Sequence, residues 1–297
     1  MQSFPKFAKW LSDFAKSWGE FLDTEESLTE ESLRSFKNNS RYNIHLFKDN
    51  ERSWKTFNEF FYRQFNGADP NTGISPLRPI ADPGNAETIV SPADCTYKQY
   101  YRIDPEGNVL KWNGTRTRIP LKETHSIGTI NELLKESRYS SEFYGGTFIH
   151  YFLSPFDYHR FHAPVPGEVL EITPVEGKTY LKTVIQEDRR FGAPDDAEDG
   201  YEFNQSRGLV IMDAGLVVGK VAILPIGMGQ VSGVYMYTHL LGKTIIKGQE
   251  FGRFRFGGSD LIMLFQKPPT ELYMFKNDPS NVPIHFQYGQ AALYWNV

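Results

Sequence analysis

Phe256-Gly257-Gly258-Ser259-Asp260-Leu261-Ile262-Met263-Leu264-Phe265 sets the frame for the rest of the chain. On spacing alone Gly-Gly-Ser reads as a turn, because glycine reaches backbone angles closed to other residues. The apolar run Leu261–Phe265 then reads as a strand. Comparable β-branched and aromatic runs lie upstream: Tyr97–Ile103, Val109–Trp112, Thr147–Leu153, Val169–Ile172, Leu209–Met212, Val217–Leu224, Gln230–Tyr237 and Thr244–Ile246. Gly, Pro and Asn-Gly turns separate them, and one short helix is expected over Ile130–Glu136. Strands without βαβ alternation predict a mostly antiparallel β core. The polar loop Glu187–Gly200 reads as a solvated excursion from that core.

Ahead of the strands the pattern is helical, which makes the fold class α+β: a β core with an N-terminal helical region at residues 1–66 and a β-rich domain at 67–297. Phe4, Phe7, Leu11, Phe14, Trp18, Phe21 and Leu22 recur at three- and four-residue steps and share one helix face. That face either packs on the core or lies in a membrane interface, where an aromatic stripe beside Lys6, Lys9 and Lys16 is at home. Ser27-Leu28-Thr29-Glu30 is a helix-start signal of the capping-box kind, opening a helix through Phe36. A third helix is expected over Trp54–Phe65 with Phe57, Phe60 and Phe61 inward. The Pro- and Gly-rich stretch Gly67–Pro83 ends this region.

Composition narrows the function classes. Of 297 residues, 40% are hydrophobic and 23% charged, as in ordinary globular domains. A net charge of −4 without a basic stripe gives no reason to expect a nucleic-acid partner. The single cysteine, Cys95, excludes an internal disulfide framework, and no secretory signal is evident, so a cytoplasmic location is expected. No run is long and apolar enough to span a bilayer. Neither a dinucleotide-binding glycine pattern nor a hydrolase nucleophile elbow is present.

A second segment completes the chemistry: Ser154-Pro155-Phe156-Asp157-Tyr158-His159-Arg160-Phe161-His162-Ala163-Pro164-Val165-Pro166-Gly167. With the Gly-Gly-Ser segment it resembles the two signature segments of the phosphatidylserine decarboxylase family, over the chain from about Trp10 to about Phe265. The resemblance implies that the chain cuts itself at Gly258–Ser259, giving two associated chains, 1–258 and 259–297, and that Ser259 becomes a pyruvoyl cofactor. A serine hydroxyl is a poor nucleophile until a base takes its proton. The resemblance supplies that base: His162 falls on the family's triad histidine, and Asp94, in Ser91-Pro92-Ala93-Asp94, on its triad aspartate. Asp94 would then fix the tautomer of His162, and His162 would take the Ser259 proton. His159 is implied in the decarboxylation step, as a proton donor that titrates near neutral pH. Asp157 and Tyr158 shape the segment. Asp157, His159 and His162 also offer metal ligands, but no third ligand cluster of familiar spacing accompanies them and no metal is expected. No partner can be read for His45, His125, His150, His239 or His285.

The chemistry follows from the cut. Ser259 Oγ attacks the Gly258 carbonyl and turns the amide into an ester. β-Elimination frees a carboxylate at Gly258 and leaves dehydroalanine, which hydrolyses to pyruvoyl and ammonia. The pyruvoyl ketone condenses with a primary amine as a Schiff base, and the neighbouring carbonyl takes up the electrons released with CO2. The substrate is therefore an amine with an α-carboxylate. Phosphatidylserine, decarboxylated to phosphatidylethanolamine with peripheral membrane contact through the first helix, is the favoured reading. The N-terminal region resembles that of the soluble tryptophan decarboxylases, which makes a free aromatic amino acid the alternative. An uncut, inactive binding module is the third. Two departures from the family pattern stand out: Asp260 places a carboxylate beside the scissile bond, and Cys95 stands where the Asp94 segment usually ends in glycine.

Overall fold

The run after Ser259 is a strand, Ser259–Phe265, in the middle of a nine-stranded sheet. In the computed structural model the spatial order is Thr244–Ile245, Gly167–Val175, Arg207–Asp213, Lys220–Gly227, Ser259–Phe265, Thr147–Leu153, Cys95–Ile103 and His285–Phe286, with Val109–Leu110 beside Cys95–Ile103. Neighbouring strands pair antiparallel throughout. The structure describes residues 5–48, 54–110, 119–121, 125–127, 129–135, 137–175, 184–185, 191–192, 206–227, 233–256, 259–269, 271–272 and 284–295. The expected loop at Glu187–Gly200 lies outside them, apart from Phe191–Gly192.

Both faces of the sheet are covered, which explains why its central strands are apolar without alternation. Leu261, Met263 and Phe265 join one core with Ile149, Tyr151, Val210 and Ile223. Ile262 and Leu264 join a second with Phe148, Ile211, Leu224 and Ile130. On the first face lies a three-stranded sheet of Val234–Met236, Glu250–Phe254 and Arg160–His162, whose Phe161, Phe251 and Phe254 reach the same core.

The N-terminal region supplies helices α1 (Pro5–Leu22), α2 (Glu30–Asn38) and α3 (Phe57–Phe61). Thr29 caps α2, its hydroxyl accepting from the Ser32 N–H at 3.2 Å. Helix α3 is much shorter than the expected 54–65. After Phe61 the chain unwinds and turns Arg63 and Phe65 inward, and Phe65 bridges to Phe47. The run Val217–Leu224 also divides: 215–218 is one helical turn, closed at Gly219 with φ +76°, and the strand begins at Lys220. Leu33, Tyr42, Phe47, Phe60 and Phe65 form a third core with Tyr158 and Tyr288 of the β region.

The core-facing reading of α1 is overturned for four of its rings. Ala15 and Leu22 are buried, but Phe7 (37%), Trp10 (58%), Phe14 (39%) and Phe21 (41%) are exposed. Phe7, Trp10 and Phe14 stack along the helix at ring separations of 5.8 Å.

Arg63 ties the helical region to the β core. It is buried, and its Nη2 donates to the Phe156 and Asp157 carbonyls at 2.6 and 3.1 Å. Its guanidinium lies 4.5 Å from the Phe47 ring centroid. Arg63→Met keeps the bulk but takes the donor away from these part-buried carbonyls. We expect a loss of about 3 kcal/mol in urea denaturation; an unchanged midpoint would show the anchor to be dispensable.

Candidate active site

Ser259 opens the central strand, paired with Leu153 on one side and Gly227 on the other. Strand alternation puts its side chain on the face of Leu261 and Met263. It is fully buried, and among the described residues its Oγ has no hydrogen-bond partner. Gly257 and Gly258 lie outside the described residues. Asp260 points to the opposite face and meets His150 at 3.4 Å, both side chains fully buried. The carboxylate that follows Ser259 in sequence is thus turned away from the Ser259 side chain.

The Ser154–His162 segment leaves the neighbouring strand as a turn. The Asp157 N–H donates to the Ser154 carbonyl at 3.0 Å, and Asp157 Oδ2 accepts from the Ser154 N–H at 2.7 Å. Asp157 Oδ1 also pairs with His285 at 2.9 Å, so it shapes the turn, as its place in the sequence suggested. With Asp157 committed there, Asp157, His159 and His162 do not converge, and no group of three potential metal ligands exists among the described residues.

His162 is held on both nitrogens. Nδ1 lies 2.7 Å from the Gly248 carbonyl and Nε2 3.0 Å from the Tyr158 hydroxyl. A carbonyl only accepts, so Nδ1 carries the proton and Nε2 accepts from Tyr158. Burial pushes the His162 pKa down to about 4, so the ring is neutral at pH 7. The Tyr288 ring stacks on it at 4.0 Å.

Asp94 does not make the hydrogen bond to His162 that the resemblance implies. Its carboxylate accepts from Arg78 at 3.1 Å and from the Tyr288 N–H at 2.8 Å. Burial raises its pKa, and Arg78 opposes the rise. Asp94 therefore reaches His162 through Tyr288, whose backbone it fixes and whose ring packs on the imidazole. The His162 N–H also donates to Pro92 O at 2.8 Å, which keeps the Asp94 segment alongside. Among the described residues no hydrogen bond joins Asp94, His162 and Ser259 to one another. The tautomer of His162 is set by Gly248 instead, whose carbonyl accepts from Nδ1. Tyr158, Gly248 and Tyr288 were not picked out as partners from the sequence. Only Tyr158, four residues before His162, carried a local signal.

His159 lies fully buried against Phe61, ring centroids 3.8 Å apart, and neither ring nitrogen has a partner among the described residues. Burial, with the positive charge of Arg63 behind it, pushes its pKa down to about 3. The expected titration near neutrality is not found in this chain. At pH 7 His159 is a neutral imidazole with a proton on one nitrogen and a lone pair on the other. Cys95 fills its position with a buried thiol 3.3 Å from the Ser91 hydroxyl.

Buried polar groups without partners are rare in folded proteins and call for an explanation. The Ser259 hydroxyl and the ring nitrogens of His159 are among those found here. Comparison with known proteins gives the class of the chain. Residues 57–293 match the family described as phosphatidylserine decarboxylase. A phosphatidylserine decarboxylase proenzyme of Fusobacterium nucleatum is 27% identical over 259 residues, covering 87% of this chain and 74% of that protein. Phosphatidylserine decarboxylase proenzyme 3 of Schizosaccharomyces pombe is 34% identical over 217 residues, 73% of this chain but 19% of that much longer protein. Decarboxylase iboD of Amanita muscaria is 27% identical over 290 residues, 88% of this chain and 77% of that protein. The chain is a decarboxylase. It belongs to the phosphatidylserine decarboxylase family.

The two histidines also set an acid limit on stability. Unfolded, each takes up a proton near pH 6.5, whereas folded they stay neutral to about 3 and 4. Below pH 6.5 the unfolded chain binds more protons, so stability is full above that value and falls as pH drops toward 4. Urea midpoints measured between pH 7 and 4.5 should decline, and His159→Gln should make the decline shallower. An equally steep decline in that variant would mean that His159 is not held neutral.

Proposed function

We propose that this chain cuts itself between Gly258 and Ser259, carries a pyruvoyl group at 259, and decarboxylates phosphatidylserine to phosphatidylethanolamine at a membrane surface. The observation that carries the reading is Ser259 itself: a buried, unbonded hydroxyl, held at the start of a central strand directly after two glycines. Ser259 would be the nucleophile, His162 its base and Asp94 the group that orders the base. Nε2 of His162, the atom able to accept a proton, is occupied by Tyr158, so taking the Ser259 proton requires Tyr158 to give way. His159, beside Phe61, acts in the decarboxylation step.

These residues fit the pyruvoyl group, since its precursor Oγ is buried with no competing partner among the described residues. Once formed, the group supplies a ketone that captures the substrate amine and a neighbouring carbonyl that takes up electrons as CO2 leaves. The chain's own part is to exclude water, orient the amine and place the neutral N–H of His159 where a proton is needed. The strand Ser259–Phe265 is hydrogen-bonded on both edges. The pieces 1–258 and 259–297 would therefore stay associated after the cut.

The lipid substrate is supported by the exposed rings of α1. A head group must reach residue 259 while its acyl chains stay in the bilayer, so the protein docks without spanning. Among the described residues no helix is long and apolar enough to cross a membrane. Burying apolar surface contributes roughly 25 cal/mol per Å², so two or three inserted rings give several kcal/mol. Lys9 and Lys16 add little, because each pairs with an acidic side chain four residues on, Asp13 at 2.9 Å and Glu20 at 4.0 Å. We place the protein in the cytoplasm in peripheral contact with a membrane. The alternative, a free aromatic amino acid, is favoured by the iboD relative, named only as a decarboxylase and matching across most of both chains.

Two sets of variants test this reading. Ser259→Ala should stay one intact chain on a denaturing gel, and Asp94→Asn and His162→Ala should slow the cut by on the order of 10⁴-fold. His159→Ala should still be cut but turn over poorly. Equal processing defects in the two histidine variants would sink this division of roles.

Replacing Phe7, Trp10 and Phe14 by serine should abolish liposome sedimentation and phosphatidylserine turnover, and leave folding and processing unchanged. Wild-type protein that ignores liposomes but decarboxylates tryptophan would replace the lipid reading with the amino-acid one.

A further inference from the structure

Just upstream of the two glycines, the chain is gripped by the N-terminal region. The Phe256 N–H donates to Asn58 Oδ1 at 3.1 Å, and Asn58 Nδ2 donates to Asp23 Oδ1 at 2.9 Å. Asp23 Oδ2 in turn accepts from Arg255 Nη1 at 3.2 Å. The orientation of the Asn58 amide is fixed by its neighbours: a backbone N–H needs the oxygen, and a carboxylate needs the NH2. Asn58 is fully buried, and Asp23 and Arg255 close the ring near the surface.

The same helix holds the Phe256 side chain. Phe57 and Phe61 meet it edge-on at 5.0 and 5.4 Å, and the opposite neighbour of Phe61 is His159. Helix α3 therefore touches the segment before the cut through backbone and ring, and touches a site histidine through a ring. On the other side, Ser259 is fixed by ladders to two strands. Only Gly257 and Gly258 separate the two anchors.

Fixing one residue's backbone costs about 1–2 kcal/mol, and glycine has the most freedom to lose. In general, anchoring the residues on both sides of a Gly-Gly pair lowers the entropy cost of ordering it for reaction. We propose that Asn58, backed by Asp23, is a positioning residue for self-processing: it anchors the chain at Phe256 so that the Gly258 carbonyl is presented to Ser259. The idea rests on the self-cutting reading above and adds to it a role for the helical region, which ends up on the other piece of the chain from Ser259.

The test follows the cut over time in full-length chain made by cell-free translation, on denaturing gels. Asn58→Ala removes both of its hydrogen bonds, to the Phe256 N–H and to Asp23, and should slow the cut at least about tenfold. Asp23→Ala, at a part-exposed site that does not threaten folding, should slow it about threefold. The exchange Asp23→Asn with Asn58→Asp rebuilds the same donor and acceptor pair in reverse, with one oxygen of the relocated carboxylate left for the Phe256 N–H. It should restore the rate to within about twofold of wild type. A residue that only stabilised the fold would lower the melting temperature without this rescue. Wild-type rates in Asp23→Ala and in folded Asn58→Ala would overturn the proposal, as would failure of the exchange to restore processing. Should Asn58→Ala not fold, Asp23→Ala and the exchange decide. A wild-type chain that is never cut would overturn the self-processing reading, and this proposal with it.

Discussion

The strand Ser259–Phe265 is the constraint on which the rest of the structure depends. It is hydrogen-bonded along both edges and buried on both faces. A strand so placed cannot shift by one residue without moving Leu261 and Met263 out of one core and Ile262 and Leu264 out of the other. Ser259 inherits that rigidity at its first position. The alternation that turns Ser259 toward the first core also turns Asp260 away, to His150 on the opposite face.

Around this fixed serine the other groups are held in a resting arrangement. His162 is neutral, its proton given to Gly248 and its lone pair to Tyr158. Asp94 is paired with Arg78 and reaches the imidazole through Tyr288. Such an arrangement keeps the His162 imidazole ordered and uncharged, with the Tyr158 hydroxyl on its accepting nitrogen. His159 differs: burial and Arg63 keep it neutral, and its ring packs on Phe61 with no side chain among the described residues bonded to either nitrogen. The two histidines of one short segment are thus held in different ways.

Much of the fold was legible in the sequence because local chemistry encodes it. Thr147–Leu153 and Leu261–Phe265 are strands because β-branched and aromatic residues buried on both sides leave little else for them to be. A helix start near Ser27–Glu30 was legible from its capping residues, although the cap is Thr29 and the Ser27 hydroxyl instead donates to the Leu22 and Thr24 carbonyls. What the sequence hid depends on distant partners. Arg160–His162 and Glu250–Phe254 are strands because they pair with each other, and neither run is long or apolar enough to say so alone. The His162–Gly248 contact spans 86 residues. Periodicity showed that α1 has an aromatic face but not whether anything covers it, and the exposed rings of Phe7, Trp10 and Phe14 answer that for this chain. The candidate site residues were legible through motifs. Their hydrogen bonds were not, because a motif fixes residue types and not the partners that folding brings to them.

The mass of the 259–297 piece tests the central claim most directly. Purified wild-type protein, separated under denaturing conditions, should yield this piece lighter by one ammonia than the same peptide with serine at its start. It should also lack a free amino terminus. An intact chain, or a piece that begins with an unmodified serine, would contradict the account.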